Sequence, residues 1–175
     1  MAKSLAWGLK VSPTFRDRVF WIESQLGIDA DYQIAAMAFE SGETFHANVR
    51  NAAGSGAVGL IQFMPSTARS LGTTTEKLAA MTPEDQLNYV YKYFKPYKGR
   101  LRTLSDVYMA ILWPRGVGKP ESYPLFVRGK SPLANYDQNA GLDTNKDGVI
   151  TKAEAAAKVQ AKLLKGMAPD RLWRA

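Results

Sequence analysis

Apolar side chains recur every three or four residues along much of this chain, a spacing that predicts amphipathic helices. The first clear helix begins at Ser12 and Pro13, because serine caps helix N-termini and proline suits the first helical position. Gly27 is expected to end it. The predicted buried face of this helix consists of Phe15, Val19, Ile22 and Leu26.

A second helix is predicted to begin with Asp31 as its cap and to end at Glu40, where a serine and a glycine stop it. Residues 43–58 then show neither the helical nor the strand period. Residues 54–59, GSGAVG, have the spacing of a dinucleotide-binding loop, but no apolar strand precedes them. We interpret these glycines as places where the backbone approaches a ligand or a helix closely. The inward face of the second helix is Ile34, Ala35, Ala38 and Phe39.

Shorter elements are predicted on both sides of the chain's middle. Residues 60–71 indicate a short helix or two turns, and the run from Thr73 to Glu76 resembles a capping box before another helix. Residues 115–132 are rich in glycine and proline and are predicted to form a loop. Within that loop, residues 123–127 are expected to be extended.

Two longer helices are predicted to begin at Thr82 and Thr103, and Pro96 and Pro114 are expected to end them. Their apolar residues again fall on one side of each helix. The predicted buried faces are Leu87, Val90, Tyr91 and Phe94 in the first helix, and Leu104, Val107, Tyr108, Ile111 and Leu112 in the second.

Residues 143–154 match the twelve-residue calcium loop of an EF-hand position by position. Gly148 stands at position six, where that loop turns sharply, and Ile150 is the apolar residue at position eight. The alternative is a turn that keeps this shape without an ion. The candidate calcium ligands are Asp143, Asn145, Asp147, Val149 (through its backbone carbonyl), Thr151 and Glu154.

The two sides of this loop differ in their helix signals. Residues 152–167 predict the exiting helix, whereas residues 132–142 on the entering side are weak helix formers. A single unpaired loop is typical of a structural ion rather than of a sensor. The predicted inner face of the exiting helix is Ala156, Val159, Leu163 and Met167.

Composition narrows the possible classes of protein. The chain has 175 residues, 46% of them hydrophobic and 22% charged, which fits one folded domain. The absence of cysteine excludes disulfides, thiolate metal sites and cysteine nucleophiles. A net charge of +7 without a basic run favours anionic surroundings such as nucleic acid, a membrane surface or a bacterial envelope, or serves solubility alone. Neither a signal peptide nor a transmembrane helix is expected.

The sequence lacks the residues that several kinds of catalytic site require. The only histidine is His46, in the polar loop, and no GxSxG, HExxH or GxxxxGK[ST] pattern is present. Carboxylate chemistry remains, and Glu40 is the best candidate because it stands beside Met37 and Phe39, where desolvation would raise its pKa. The alternative is that Glu40 merely ends a helix in solvent.

Most glycosidases use two carboxylates, but a second acid in an apolar context is not found. That asymmetry favours substrate-assisted chemistry, in which the acetamido group of the sugar stabilises the positive centre and one acid/base suffices. The candidate second acids are Glu43, Asp29, Asp31, Asp106 and Glu121.

At these residues the chain closely resembles the soluble lytic transglycosylases and the related goose-type lysozymes. The shared patterns are Glu40-Ser41-Gly42 and residues 55–68, SGAVGLIQFMPSTA, and the order of helices agrees over about residues 12–127. The resemblance implies a mainly α, lysozyme-like fold with few or no short strands. It also implies cleavage of the β-1,4 bond between N-acetylmuramic acid and N-acetylglucosamine, with 1,6-anhydromuramic products.

By this resemblance Glu40 is the acid and then the base, while Ser55, Gln62 and Tyr108 contact the substrate. The family usually has asparagine after that tyrosine, where this chain has Met109. This departure leaves transglycosylation and hydrolysis both open. The variant resembles phage-encoded members of the family.

The combined prediction is a transglycosylase domain over residues 1–132, with the calcium loop and last helix, residues 133–175, packed on the same domain. We expect no cofactor for catalysis, Ca²⁺ as a structural ion, peptidoglycan as the partner, no nucleic acid and a monomer. A phage endolysin released through a membrane lesion, or a virion protein, would need no signal peptide. The alternatives are a muramidase that uses water, and a non-catalytic glycan- or calcium-binding virion component.

Overall fold

The computed structural model describes residues 2–130 and 133–175, and it confirms a mainly α, lysozyme-like single domain. In chain order the helices are α1 (Pro13–Leu26), α2 (Ala30–Glu40), α3 (Pro65–Ser70), α4 (Thr75–Ala80), α5 (Pro83–Phe94), α6 (Leu104–Leu112), α7 (Leu133–Asn139) and α8 (Lys152–Gly166). The strands are β1 (Ser4–Leu5), β2 (Pro124–Val127), β3 (Val149–Thr151) and β4 (Trp173–Arg174). Pro132, the predicted end of the long loop and of the first segment, lies outside the described residues.

Helix α2 lies in the middle of the core, where α1, α6 and α8 pack against it. Its sequence allows this position because alanines at four places let neighbouring helices approach closely. Residues 33–38 are all buried, and all of them except Gln33 are apolar, so the middle of this helix is enclosed on every side. The core helix therefore carries Glu40 at its C-terminal end.

The predicted helix starts at Ser12, Thr82 and Thr103 are confirmed. Each hydroxyl accepts a hydrogen bond of 3.1 Å from the backbone N–H three residues later, which satisfies one of the free donors of the first turn. The predicted extended piece in the long loop is also confirmed as β2.

Two predicted caps are wrong. Asp29, not Asp31, caps α2, by accepting from the Asp31 N–H at 2.8 Å, while the Asp31 carboxylate accepts from Ala6 N at 2.8 Å. Thr74, one residue after the predicted start of a capping box, caps α4 by accepting from Lys77 N. In both places another residue that can cap a helix lies one or two positions from the predicted one.

Five residues of the predicted buried faces lie nearer the surface: Phe39, Tyr91, Ile111, Leu112 and Met167. Ile111 and Leu112 are only partly buried, because the core side of the last turn of α6 is filled by Met109 and Ala110. Met167 is 44% exposed, because α8 already ends at Gly166.

Helix α8 belongs to the same core as the other helices. Two short antiparallel pairs, β2 with β3 and β1 with β4, tie the C-terminal segment to the rest of the chain. Trp7 donates from its indole nitrogen to Lys162 O at 2.9 Å and lies so close to Gly166 that a Cβ there would come within 2.3 Å of its ring. The weak helix signal before the calcium loop nevertheless produces α7.

Across the described ranges, no helix is both long enough and apolar enough to cross a membrane.

Candidate active site

Glu40 is the last residue of α2, and the chain turns sharply after it. Ser41 is buried, and its hydroxyl accepts a hydrogen bond from Phe45 N at 3.0 Å, which closes the turn. Gly42 and Glu43 both have positive φ, 61° and 67°. The serine that follows the glutamate therefore shapes the loop that leaves the site, a role that the sequence pattern did not assign to it.

The surroundings of Glu40 keep its carboxyl protonated to unusually high pH. The side chain is neither fully buried nor exposed, so it is reachable from solvent while dense protein surrounds it. Desolvation by burial raises the pKa of Glu40 from 4.5 to about 7. Burial contributes most to the raised pKa values of the Tyr93 and Tyr108 phenols. The charges of Tyr97 and then Glu40 add to it at Tyr93. The charge of Glu40 adds to it at Tyr108, so both tyrosines lie near this carboxylate.

Aromatic contacts fix the two tyrosines. Tyr108 is 4% exposed and meets Phe39 edge to face, with ring centroids 5.6 Å apart. Tyr93 packs edge to face on Phe63 and donates its hydroxyl to the carbonyl of Ala110 in α6. Because Tyr93 joins α5 to α6 beside Glu40, it is a site residue that the predicted apolar face of α5 did not include.

The five candidate second acids are all engaged elsewhere. Asp29 and Asp31 hold backbone N–H groups near the start of α2. Glu43 pairs with Lys162 at 2.7 Å and with Lys165 at 2.6 Å, and the first of these bonds contributes most to its lowered pKa. Asp106 pairs with Lys152, and Glu121 accepts from the Ser105 hydroxyl.

Gln62 lies in an irregular antiparallel segment formed by residues 50–63, in which Val58 bridges both Arg50 and Phe63. Its φ of 55° and its amide N–H bonds to Val49 O (3.1 Å) and Gly59 O (3.0 Å) hold the side chain in one orientation. Gln62 and Tyr93 line the same small cleft. Because Tyr93 also lies near Glu40, the cleft connects Gln62 to the neighbourhood of that carboxylate, and Tyr108 reaches Glu40 separately.

Ser55 is placed differently. It is exposed near the tip of the loop, and its hydroxyl accepts from Ala57 N at 3.2 Å. No contact among the described residues joins Ser55 to Glu40.

Met109 does not reach the cleft. Its side chain is fully buried and lies against Gly116, where a Cβ would come within 2.5 Å of the Met109 sulfur. The residue that departs from the family pattern therefore serves the packing of α6 on the following turn.

Gln86 is a buried polar residue of α5 that supports residues 58–63, which contain Gln62 and are called the glutamine loop below. Its amide oxygen accepts from Leu60 N at 2.7 Å, and its amide nitrogen donates to Ala47 O at 3.0 Å and Leu78 O at 2.9 Å. Gly59 makes room for it, since a Cβ there would lie 2.3 Å from the amide oxygen. The sequence feature that could have identified Gln86 is a single polar residue on the buried side of the amphipathic helix α5.

Gln86→Met is expected to lower the free energy of unfolding by about 2 kcal/mol, because it leaves the buried Leu60 N–H and two carbonyls without partners. It should also reduce kcat, because Gln86 holds the backbone at Leu60, two residues before Gln62. Chemical denaturation and rates on purified peptidoglycan measure both effects, and the exposed Gln25→Met is the matched control. Equal stability of the two variants would contradict the anchoring role.

The calcium-loop residues are not among those that line this cleft, and they run from the end of the α7 segment through β3 into the first turn of α8. Asp143 Oδ2 accepts from Gly148 N at 2.9 Å, Asn145 Oδ1 from Asp147 N at 3.0 Å and Asp147 Oδ1 from Val149 N at 2.8 Å. Thr151 and Glu154 form a capping box at the start of α8. Within the described ranges, no three acidic or histidine side chains are grouped closely enough to hold a metal as they stand.

One of the comparisons with known proteins identifies a family for this chain. A search of curated proteins found no match to this chain. The family described as the transglycosylase SLT domain matches residues 19–112, more than half of the chain. That range runs from within α1 to the end of α6 and includes Glu40, Gln62 and Tyr108. The chain therefore belongs to the transglycosylase SLT family of peptidoglycan-degrading enzymes.

Proposed function

We propose that this enzyme cleaves the bond between N-acetylmuramic acid and N-acetylglucosamine with Glu40 as its single acid/base, and that it releases 1,6-anhydromuramic products. The raised pKa of Glu40, about 7, carries the proposal. A carboxyl that is protonated near neutral pH and still reachable from solvent can donate a proton to a glycosidic oxygen.

In the first step, Glu40 protonates the glycosidic oxygen while the bond from that oxygen to C1 of the muramyl sugar breaks. The leaving sugar departs with a 4-hydroxyl group. The acetamido group on C2 of the muramyl sugar stabilises the positive charge at C1, so no protein nucleophile is needed. Glu40 is left as a carboxylate.

In the second step, the Glu40 carboxylate takes the proton from the 6-hydroxyl of the same muramyl sugar. The 6-oxygen attacks C1 and closes the 1,6-anhydro ring. Glu40 is protonated again, and no water is consumed. A single carboxyl thus serves both steps because its proton is first given and then recovered.

No neighbouring carboxylate among the described residues contributes to the raised pKa of Glu40, which supports a mechanism with a single acid. The raised pKa of Glu40 is attributed to burial and not to a neighbouring acid. A conventional glycosidase would hold its two carboxyls about 5 Å or about 6.5–9.5 Å apart, and the five candidate partners are engaged in other contacts.

We assign Tyr108 to positioning the muramyl sugar because it lies near the carboxyl of Glu40. We assign Gln62 the same role because it lines a cleft with Tyr93, which also lies near Glu40. We assign Ser55 to the outer edge of the surface that contacts the glycan, because it is exposed near the tip of the segment formed by residues 50–63. The biological setting that we propose is bacterial cell-wall lysis by a phage, with delivery through a membrane lesion or from the virion.

Mass spectrometry of digested peptidoglycan in water enriched in ¹⁸O tests the chemistry. Transglycosylation is expected to give muramyl ends that are lighter by one water molecule and carry no ¹⁸O. Hydrolysis would give reducing ends that carry the label. A digest that contains only labelled reducing ends would replace this proposal with the muramidase alternative.

A further inference from the structure

We propose that the loop of residues 143–154 binds one Ca²⁺ ion, and that Glu154 leaves the N-terminal cap of α8 to become the ion's bidentate ligand. This site is separate from the cleft at Glu40, so the proposal does not depend on the catalytic mechanism.

The backbone of the loop already has the turn that an ion requires. Asp143, Asn145 and Asp147, at positions one, three and five, each accept a backbone N–H from within the loop at 2.8–3.0 Å. Gly148, at position six, has a φ of 85°, which suits the glycine that the sharp turn requires. Asn145 Nδ2 also donates to Asp147 Oδ2 at 3.2 Å, so the side chains at positions three and five lie side by side.

A buried carboxylate oxygen points to a missing ligand. Asp143 is only 7% exposed, and its Oδ2 accepts from Gly148 N and from the Tyr136 hydroxyl at 2.6 Å. Its other oxygen, Oδ1, is buried and has no hydrogen-bond partner among the described residues. A buried anionic oxygen without a partner is unfavourable, and a bound cation is a direct way to satisfy it.

The position of Glu154 explains why the acidic side chains are not yet grouped. Its Oε2 accepts from the Thr151 N–H and hydroxyl, both at 2.9 Å, and its Oε1 accepts from the Thr144 hydroxyl at 3.2 Å. Thr144 is loop position two, so the carboxylate already spans the two halves of the loop. A change in the side-chain torsions of Glu154 would exchange these neutral donors for a divalent cation.

The rest of the protein holds the second half of the loop in place. Strand β3 contains positions seven to nine and pairs with β2, so β2 occupies the place that a second calcium loop would take in a paired site. Lys152, at position ten, forms a buried ion pair with Asp106 of α6 at 2.6 Å. Such rigidity favours binding because little of the loop has to be ordered by the ion.

Calcium titration calorimetry on the chelator-treated 175-residue protein tests the site with the metal alone. We expect one Ca²⁺ per chain for the wild type, and a higher melting temperature when Ca²⁺ is present. Glu154→Gln should lose the heat of binding yet stay folded, because a glutamine oxygen can still accept from Thr151 N. Asp137→Asn removes a neighbouring exposed charge at a non-ligand position, so it should bind like the wild type.

The movement of Glu154 has a separate readout. In ¹H–¹⁵N spectra the Thr151 amide is expected to shift upfield with Ca²⁺, because it loses its carboxylate acceptor. No heat in the wild type, or the same heat in Glu154→Gln, would overturn the calcium site. Binding without a shift of the Thr151 amide would overturn the exchange of the cap.

Discussion

Glu40→Gln is expected to reduce kcat on purified peptidoglycan by about 10²–10⁴-fold, the usual worth of a general acid/base. Glutamine keeps the shape of the side chain but can neither give a proton to the glycosidic oxygen nor take one from the 6-hydroxyl. Release of soluble muropeptides over time measures the rate, and circular dichroism checks that the variant is folded.

Glu43→Gln is the matched control, because it removes the nearest acid along the chain, which pairs with Lys162 and Lys165 outside the cleft. It should keep most of the activity. An equally large loss in Glu43→Gln would contradict the single-acid mechanism.

The same carboxyl sets the pH dependence of the wild type. Because Glu40 must be protonated for the first step and its pKa is about 7, kcat/KM is expected to fall as pH rises above about 7. The residual rate of Glu40→Gln should lack this decline. A pH profile of both proteins on the same peptidoglycan makes the comparison.

The raised pKa also gives the expected direction of stability. The folded protein holds the Glu40 proton more tightly than the unfolded chain does, so this contribution is complete below pH 4.5 and is lost as pH rises through about 7. At higher pH the charged carboxylate therefore destabilises the folded state, by up to about 3 kcal/mol. Glu40→Gln should be more stable than the wild type at that pH, as measured by denaturant unfolding.

Lys152→Met is expected to lower the free energy of unfolding by about 3–5 kcal/mol, because it leaves Asp106 charged and buried without its cation. The two side chains are 2% and 7% exposed, and the Lys152 ammonium also donates to Lys119 O at 2.8 Å. Burial acts to raise the pKa of Asp106, but the bonds from Lys152 and from Gly118 N outweigh it and lower that pKa. For a chain of this size the loss corresponds to a fall in melting temperature of roughly 6–20 °C.

Two further variants separate the ion pair from simple loss of packing. Lys158→Met removes an exposed lysine from the same helix and should change stability by less than about 0.5 kcal/mol. Adding Asp106→Asn to Lys152→Met removes the unpaired charge while an amide oxygen still accepts from Gly118 N, so part of the loss should be recovered. If the double variant were less stable than Lys152→Met, the buried charge would not be the cause.

Local signals in the sequence were sufficient for most of the helices. The starts at Ser12, Thr82 and Thr103 follow from a short-range bond between a hydroxyl and a nearby N–H, so no knowledge of the fold was needed. The choice of Asp29 over Asp31 was different, because Asp31 is held by Ala6, 25 residues away. Contacts between distant parts of the chain leave no local pattern.

The same distinction between local and long-range signals applies to the residues of the site. Glu40 and Gln62 were found because their motif is local, and their proposed roles still await the tests above. Gln86 and Tyr93 were missed because their function is to join α5 to the glutamine loop and to α6, which only the folded chain brings together. Met109 stands where the family pattern usually has asparagine, and its contact with Gly116 places it in the core.

The packing of α8 on α2 has a consequence for synthesis. Lys162 of α8 bonds Glu43, 119 residues earlier, and accepts the Trp7 indole N–H, 155 residues earlier. Contacts of such long range form late in folding, because the intervening chain must first be closed into a loop. On the ribosome, the helix that carries Glu40 therefore stays uncovered on one side until α8 has emerged. The core around the site is therefore completed only after α8 has been synthesised.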